Sequence, residues 1–304
     1  MWGTLAKGER HFWEVSERRS AAPGGGSPGK SAFLLPGSAL RSPRVMVVPI
    51  LQQRVRYLFS ELGELAHIAG EAFRSLRHHR PSWRDFVEQL HFIGVKSQSV
   101  VITTGAATGM VLCAQTYFQF HKVKMDTATG AVVSVGMCSE LGPVLACLMI
   151  AGRVGAAMAA ELGTMKVTEQ IDALRTLATH PVDHLVVPRL LAATVAAPLL
   201  TAEAVAVGIF ASWMVGAHLL GIDSAYYVAN MNRYTAPTDV MTGLIKATLF
   251  GAAIAVISCY KGLSCQQGAE GVGKATTEAV VYSSITVLVA NFFLTLFLTR
   301  LFKG

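Results

Sequence analysis

A glycine-rich segment at residues 268–275, GAEGVGKA, has almost the spacing of a phosphate-binding loop. Gly268, Gly273 and Lys274 stand where such a loop would cradle the phosphates of a nucleotide. The next residue should carry a hydroxyl that binds Mg²⁺, but Ala275 is there and Thr276 is one place late. An apolar run, rather than a β-strand, precedes the segment. We therefore do not expect a nucleotide to bind here.

Cysteine and histidine suggest no other reactive site. The five cysteines form no CxxC pair, and the nine histidines show no HExxH or other metal-ligand spacing. A nucleophile elbow or a pair of catalytic carboxylates is not evident either. We predict that this chain has no catalytic residue, no metal site and no cofactor of its own.

Glu140 is the most informative titratable residue, because it lies inside a long apolar run. A carboxylate at the centre of a membrane costs about 2.5–3.5 kcal/mol on insertion scales unless it faces a cavity or a partner. Gly142 and Pro143 follow it and interrupt helical hydrogen bonding. The carboxylate could meet a lipid headgroup or be satisfied within the helix bundle. Glu203 is costly for the same reason, without an evident role.

Long apolar runs must position these residues. Mean hydropathy is +0.45, and charged residues make up 15% of the chain, against about 25% in typical globular domains. Runs rich in Ala, Gly, Leu and Val, each near or above the roughly 20 residues that span a bilayer as a helix, predict an all-α polytopic membrane protein with five transmembrane helices. The runs are 99–120, 131–159, 185–220, 241–260 and 279–299.

Two features modify these runs. Pro188 and Pro198 in the third run predict a kink or an interfacial start. Gly105 and Gly109 form a GxxxG pair in the first run, which favours close helix contact, either within one chain or between two copies.

A polar island at residues 161–180 separates the second and third runs. From Thr168 onward its spacing predicts a short amphipathic helix, with Ile171, Leu174 and Leu177 on one stripe and Thr168 as the N-cap. A helix held between two membrane spans could receive a push from a soluble protein.

The distribution of Lys and Arg predicts orientation. Fourteen of them precede the first apolar run, which places the N-terminus in the cytoplasm by the positive-inside rule. With five spans, the loops at 161–184 and 261–276 share that side. The net charge of +7 is explained in this way, and no nucleic-acid motif accompanies it.

The N-terminal third differs from the rest. Residues 1–48 include AAPGGGSPGK and read as a disordered or low-complexity extension. Residues 49–96 have helical periodicity and basic residues, which predict amphipathic interfacial helices, although packing on the protein itself would explain the same pattern. The remainder, 97–304, is the predicted transmembrane domain.

Several stretches closely resemble the MlaE (YrbE) family of ABC-transporter permeases. They are GVKSQSVVI near 94–102, ELGP at 140–143, AGRVGAAMAAELGTMKVTEQIDAL at 151–174, VVPR at 186–189, LLGID at 219–223 and EGVGKATTEAVVYSS at 270–284. The resemblance covers roughly residues 90–300. It implies the membrane subunit of a lipid transporter. A secondary transporter, a channel or a non-transporting scaffold are the alternatives.

The resemblance also implies partners. These are a second copy of the chain, two copies of an ABC ATPase that carries ATP and Mg²⁺, an MCE-domain lipid-binding protein on the outer side, and a phospholipid substrate. A bacterial inner membrane is the expected location, with a plastid inner envelope as the alternative. Nucleic acid is not an expected partner.

The resemblance also implies which residues of this chain bind lipid and which contact the ATPase. The implied lipid-binding residues are Met110, Val111, Ala114, Tyr117, Glu140, Leu141, Leu145 and Asn291. The implied coupling helix uses Ile171 and Leu174 to fill a groove of the ATPase and four polar residues to set its register: Glu169, Gln170, Asp172 and Arg175.

Overall fold

The computed structural model describes residues 60–61, 63–75, 83–177 and 180–303, and within these ranges the regular structure is helical. The prediction for residues 1–48, and part of that for 49–96, lies outside them. The α-helices are 60–61 and 63–75, Trp83–Ile93, Gln98–His121, Thr129–Gly136, Gly142–Ile150, Ala156–Val167, Gln170–Thr176, Val187–Met214, Ser224–Tyr234, Pro237–Leu263 and Ala269–Lys303.

Five helical stretches are long and apolar enough to cross a membrane, which confirms the predicted all-α polytopic fold. They are the first span, Trp83–His121, the second, Asp126–Val167, the third, Val182–Leu219, the fourth, Pro237–Leu263, and the fifth, Ala269–Phe302.

Short 3₁₀ and π segments join shorter α-helices into these spans. The 3₁₀ segments are Val95–Ser97 and Asp126–Ala128, and the π segments are Met137–Leu141, Ala151–Gly155, Val182–Val186 and Val215–Leu219. Single π turns inside α-helices are frequently found at functional sites. The second span contains two of them, and Glu140 lies on the first.

The first and third spans touch through glycine. A Cβ atom on Gly105 would meet the backbone of Ala204, and one on Gly109 would meet the carbonyl of Gly208. The backbones therefore approach too closely for any side chain at these positions. Of the two uses left open for the GxxxG pair, the structure shows contact within the chain.

The main core is built mostly from small and β-branched side chains of the second, third and fourth spans, with Ile93 and Val101 added from the first and Val287 from the fifth. Alanine dominates the third span's contribution, which lets Gly251 of the fourth span pack against Ala193 and Ala197. The fifth span is different. Only 11% of its most apolar window is buried within the chain, against 50% for the second and fourth spans.

The predicted irregularity at the start of the third span is a π segment. It ends at Val186, and Pro188 occupies the first turn of the α-helix that follows.

Candidate functional site

A polar centre lies among the second, fourth and fifth spans. Lys246 Nζ donates to Glu140 Oε1 at 2.8 Å, and its side chain is fully buried. Thr295 Oγ1 lies 3.1 Å from the same carboxylate, and Asn291 Nδ2 donates to Glu140 Oε2 at 3.1 Å. We call these four residues, Glu140, Lys246, Asn291 and Thr295, the polar centre.

The proline after Glu140 helps to explain why a lysine is accepted here. Pro143 has no N–H, so the carbonyl of Ser139, four residues earlier, lacks its helical donor. Lys246 Nζ supplies a hydrogen bond to that carbonyl at 3.0 Å and donates also to Thr295 Oγ1 at 2.8 Å. The ammonium group therefore has three acceptors, as a buried cation requires.

Gly243 brings the fourth span close enough for this contact. A Cβ atom at Gly243 would meet the carbonyl of Cys138 and come within 3.1 Å of Pro143 Cγ. Because Gly243 is almost one helical turn from Lys246, the close approach places the lysine opposite the π segment.

The polar centre is not sealed by the chain. The Glu140 side chain is 37% exposed, meaning not covered by this chain. Asn291 Oδ1 is buried and has no hydrogen-bond partner among the described residues. Of the two environments considered for Glu140, the structure shows bonding within the bundle, with part of the carboxylate left uncovered by this chain.

The other residues implied for lipid binding are dispersed. Tyr117 and Leu141 pack on one apolar cluster with Cys113, Met137 and Tyr227. Burial raises the pKa of the Tyr227 hydroxyl, which stays neutral and donates to Ser212 Oγ at 3.1 Å. That side of the bundle is therefore a packed core.

Met110 and Val111 are 36% and 59% exposed on the first span, and Ala114 is half-buried. Leu145 lines a cavity of about 10 Å³ beside Gly105 and Leu141, too small for a lipid chain. Within the chain, the structure joins only Asn291 directly to Glu140.

The polar island contains the predicted helix, but its start is different. The loop helix is Gln170–Thr176, preceded by Glu169 in a left-handed conformation with φ of 60°. Thr168 ends the preceding helix, and its Oγ1 donates back to the Thr164 carbonyl at 2.9 Å. The prediction that Thr168 is the N-cap was wrong, because its hydroxyl is used by the helix before it.

The loop helix is anchored to the second span. Ile171 is 1% exposed and buried within the chain, so it cannot also fill a partner's groove in this conformation. Asp172 pairs with Lys166 at 3.3 Å and with Arg175 at 3.2 Å. Of the predicted stripe, Leu177 is the outward side chain at 73% exposure, and Leu174 is intermediate.

Lys246 and Thr295 were missed by the sequence analysis. Lys246 lies inside the fourth apolar run, where the reasoning that selected Glu140 applies equally to a lysine. A cation and an anion in separate apolar runs are the signal that could have paired them. Thr295 carries no comparable signal, because threonine is common in membrane helices.

Comparison with known proteins gives these sites a family context. The sequence model of the family described as permease MlaE matches residues 86–297, which include the polar centre and the loop helix. The chain belongs to the MlaE permease family. Its members thus share the segment that holds both sites, whereas residues 1–85 lie outside the match.

Relatives in the MlaE family come from diverse organisms. A probable ABC transporter permease protein of Rickettsia conorii is 46% identical over 209 residues, which cover 69% of this chain and 81% of the relative. The intermembrane phospholipid transport system permease protein MlaE of Haemophilus influenzae is 33% identical over 252 residues, which cover 83% of this chain and 97% of the relative. The chloroplastic protein TRIGALACTOSYLDIACYLGLYCEROL 1 of Arabidopsis thaliana is 37% identical over 230 residues, which cover 76% of this chain and 66% of the relative.

Proposed function

We propose that this chain is the membrane-spanning subunit of an ATP-driven transporter of phospholipids. The observation that carries the proposal is the polar centre: an ion pair held among three spans, with its carboxylate partly uncovered. A charged pair in an apolar bundle is costly, so it is a functional candidate by default. Family membership and the relatives' names support the same function.

The polar centre suits the polar end of a lipid. Glu140 offers the part of its carboxylate that this chain leaves uncovered, while Lys246, Thr295 and Asn291 hold that carboxylate in place from inside the bundle. A headgroup that carries hydrogen-bond donors would find an acceptor in that carboxylate. Exposed side chains of the first span, such as Met110 and Val111, would then face the acyl chains.

The loop helix Gln170–Thr176 is proposed as the coupling helix that meets the ATPase on the cytoplasmic side. Leu177 supplies an exposed apolar side chain at its C-terminal end, and Leu174, Glu169, Gln170 and Arg175 complete the docking surface. Ile171 and Asp172 then act toward the chain's own second span, which makes the helix a rigid extension of that span.

The remaining partners follow from the family. A second copy of the chain is proposed to cover part of the fifth span, which this chain leaves largely exposed. Two ATPase copies would carry ATP and Mg²⁺ and perform the hydrolysis. An MCE-domain protein would receive or deliver lipid on the outer side of a bacterial inner membrane or, as the alternative, a plastid inner envelope.

Leu177→Asp tests this function. The chain is purified with its ATPase and reconstituted into vesicles, and both ATPase retention and ATP-dependent phospholipid transfer are measured. We expect the carboxylate to prevent apolar docking, so that retention and transfer are lost together. Leu219→Asp is the matched control, because Leu219 is equally exposed at 76% but ends the third span on the opposite side of the membrane. Unchanged retention in Leu177→Asp would remove the docking role.

A further inference from the structure

A second ion pair lies at the base of the loop that carries the loop helix. Arg189 Nη2 is 3.0 Å from Glu161 Oε2, and the two side chains are 5% and 51% exposed. Arg189 Nη1 also donates to the Leu185 carbonyl at 2.7 Å, and its Nε has no partner among the described residues. Glu161 is therefore the carboxylate that balances a buried guanidinium.

The Glu161–Arg189 pair joins two consecutive spans. Glu161 lies in the last turns of the second span, and Arg189 lies in the first turns of the α-helix of the third span. The loop helix lies between them in sequence. The pair therefore closes the base of a loop whose tip is the proposed docking surface.

The surroundings hold the pair firmly. Leu162 follows Glu161, and Val186 and Val187 precede Arg189. All three belong to one buried apolar cluster with Cys259 of the fourth span and Ala72 of the N-terminal helix. On the same side of the loop as Glu161, Lys166 of the second span pairs with Asp172 of the loop helix. The loop helix is thus fixed to the second span, and the ion pair between Glu161 and Arg189 fixes the second span to the third.

We propose that Glu161 and Arg189 form a clamp that makes the second and third spans respond together when the loop helix is pushed. Without the clamp, the two span ends would be joined by apolar packing alone, which is not directional, so part of the displacement of the loop would be absorbed there. With it, displacement passes along the second span toward Glu140, and through the third span to the first by the glycine contacts at Gly105 and Gly109. Both are positioning residues, because they would act through the two spans that they join.

This inference rests on the proposed function and adds the route by which motion would enter the membrane. It separates docking, which belongs to the surface of the loop helix, from transmission, which belongs to the base of the loop. The two should respond differently to substitution.

The test uses the full complex with its ATPase in vesicles and three readouts: ATPase retention, ATP hydrolysis, and phospholipid moved per ATP hydrolysed. Glu161→Gln removes the carboxylate charge without changing side-chain size. We expect retention and hydrolysis to persist, while phospholipid moved per ATP falls about fivefold to tenfold, as expected when a coupling contact is lost.

A double variant separates transmission from simple stability. Glu161→Gln leaves Arg189 buried and unpaired, which lowers the melting temperature of the complex. Glu161→Gln with Arg189→Met removes both charges, so the melting temperature should recover while phospholipid moved per ATP stays low. A purely structural pair would recover both together, and that result would overturn the clamp.

Two further outcomes would also overturn it. They are an unchanged transport-to-hydrolysis ratio in Glu161→Gln, and loss of ATPase retention in either variant, since the pair would then shape the docking surface. Glu270→Gln is the matched control, because Glu270 is an exposed carboxylate in the first turn of the fifth span and should leave the ratio unchanged. Absence of ATP-dependent transfer in the unaltered complex would contradict the proposed function itself, which keeps the two failures distinct.

Discussion

The free-energy cost of placing the Glu140 carboxylate in an apolar bundle is offset by the ion pair that it forms with Lys246. Each alone would be an isolated charge in an apolar helix, yet they bond to each other and to Thr295. Lys246 donates as well to the Ser139 carbonyl, which Pro143 leaves without its helical donor. The stability of the bundle should therefore depend on the pair rather than on either member.

Lys246→Met is the residue-scale test. Removing one partner of a largely buried pair costs about 3 kcal/mol, at the lower end of the usual range because Glu140 is partly uncovered. We expect that decrease in the free energy of unfolding, measured in mixed detergent micelles, together with loss of phospholipid transfer.

Lys246→Met combined with Glu140→Gln is the control for charge. The neutral pair should regain most of the lost stability, because no unpaired charge remains. Phospholipid transfer should stay low if the charges contact the headgroup. Recovery of full transfer in the double variant would leave the polar centre with a structural role only.

Sequence reasoning at this scale selected Glu140, because a charge in an apolar helix needs a partner, and Asn291, through the family resemblance. The two do bond to each other, while their role in lipid binding stays a prediction. Lys246 was missed, and Ile171 was given the wrong environment. Lys246 was overlooked because the apolar run 241–260 was judged by its overall composition. Ile171 was assigned to a partner's groove because periodicity identifies an apolar face without saying which protein covers it.

At the scale of elements, the span boundaries depend on contacts that hydropathy does not register. The second span was predicted at 131–159 and extends over Asp126–Val167. Its extra turns contain Glu161 and Lys166, which are polar but paired with Arg189 and Asp172. The number of spans could be predicted from run length, whereas their ends and π segments depend on tertiary pairing.

Gly109→Ala tests the contact between the first and third spans. The added methyl group would collide with the Gly208 carbonyl, so the spans must separate, and overpacking of this kind costs about 1–3 kcal/mol. Unfolding in mixed detergent micelles should show the loss. Gly152→Ala is the matched control, because a Cβ atom there meets no atom within 4 Å. Equal stability of both variants would contradict the packing described.

The whole molecule must have a fixed orientation in the membrane if the loop helix is to meet a cytoplasmic ATPase. The loop helix must face the cytoplasm, and the helix Ser224–Tyr234 must then face the opposite side, because one span separates them. The fourteen basic residues that precede the first apolar run support this orientation.

Cysteine labelling with a membrane-impermeant maleimide checks the orientation. Leu177→Cys should react only from the cytoplasmic side and Tyr226→Cys only from the other, since both positions are exposed. Four native cysteines are buried, and burial raises the pKa of the Cys265 thiol, which lowers its thiolate fraction at neutral pH. Cys265→Ser in the background removes the remaining signal. Labelling of both positions from one side would exclude the five-span topology.

The most direct measurement of the central claim is phospholipid transfer by the reconstituted complex, with and without ATP, from the unaltered chain and from Leu177→Asp. We expect transfer that requires ATP and the partner ATPase and that disappears in Leu177→Asp while the five spans stay folded. Transfer that proceeds equally without ATP, or that survives the loss of ATPase docking, would contradict it.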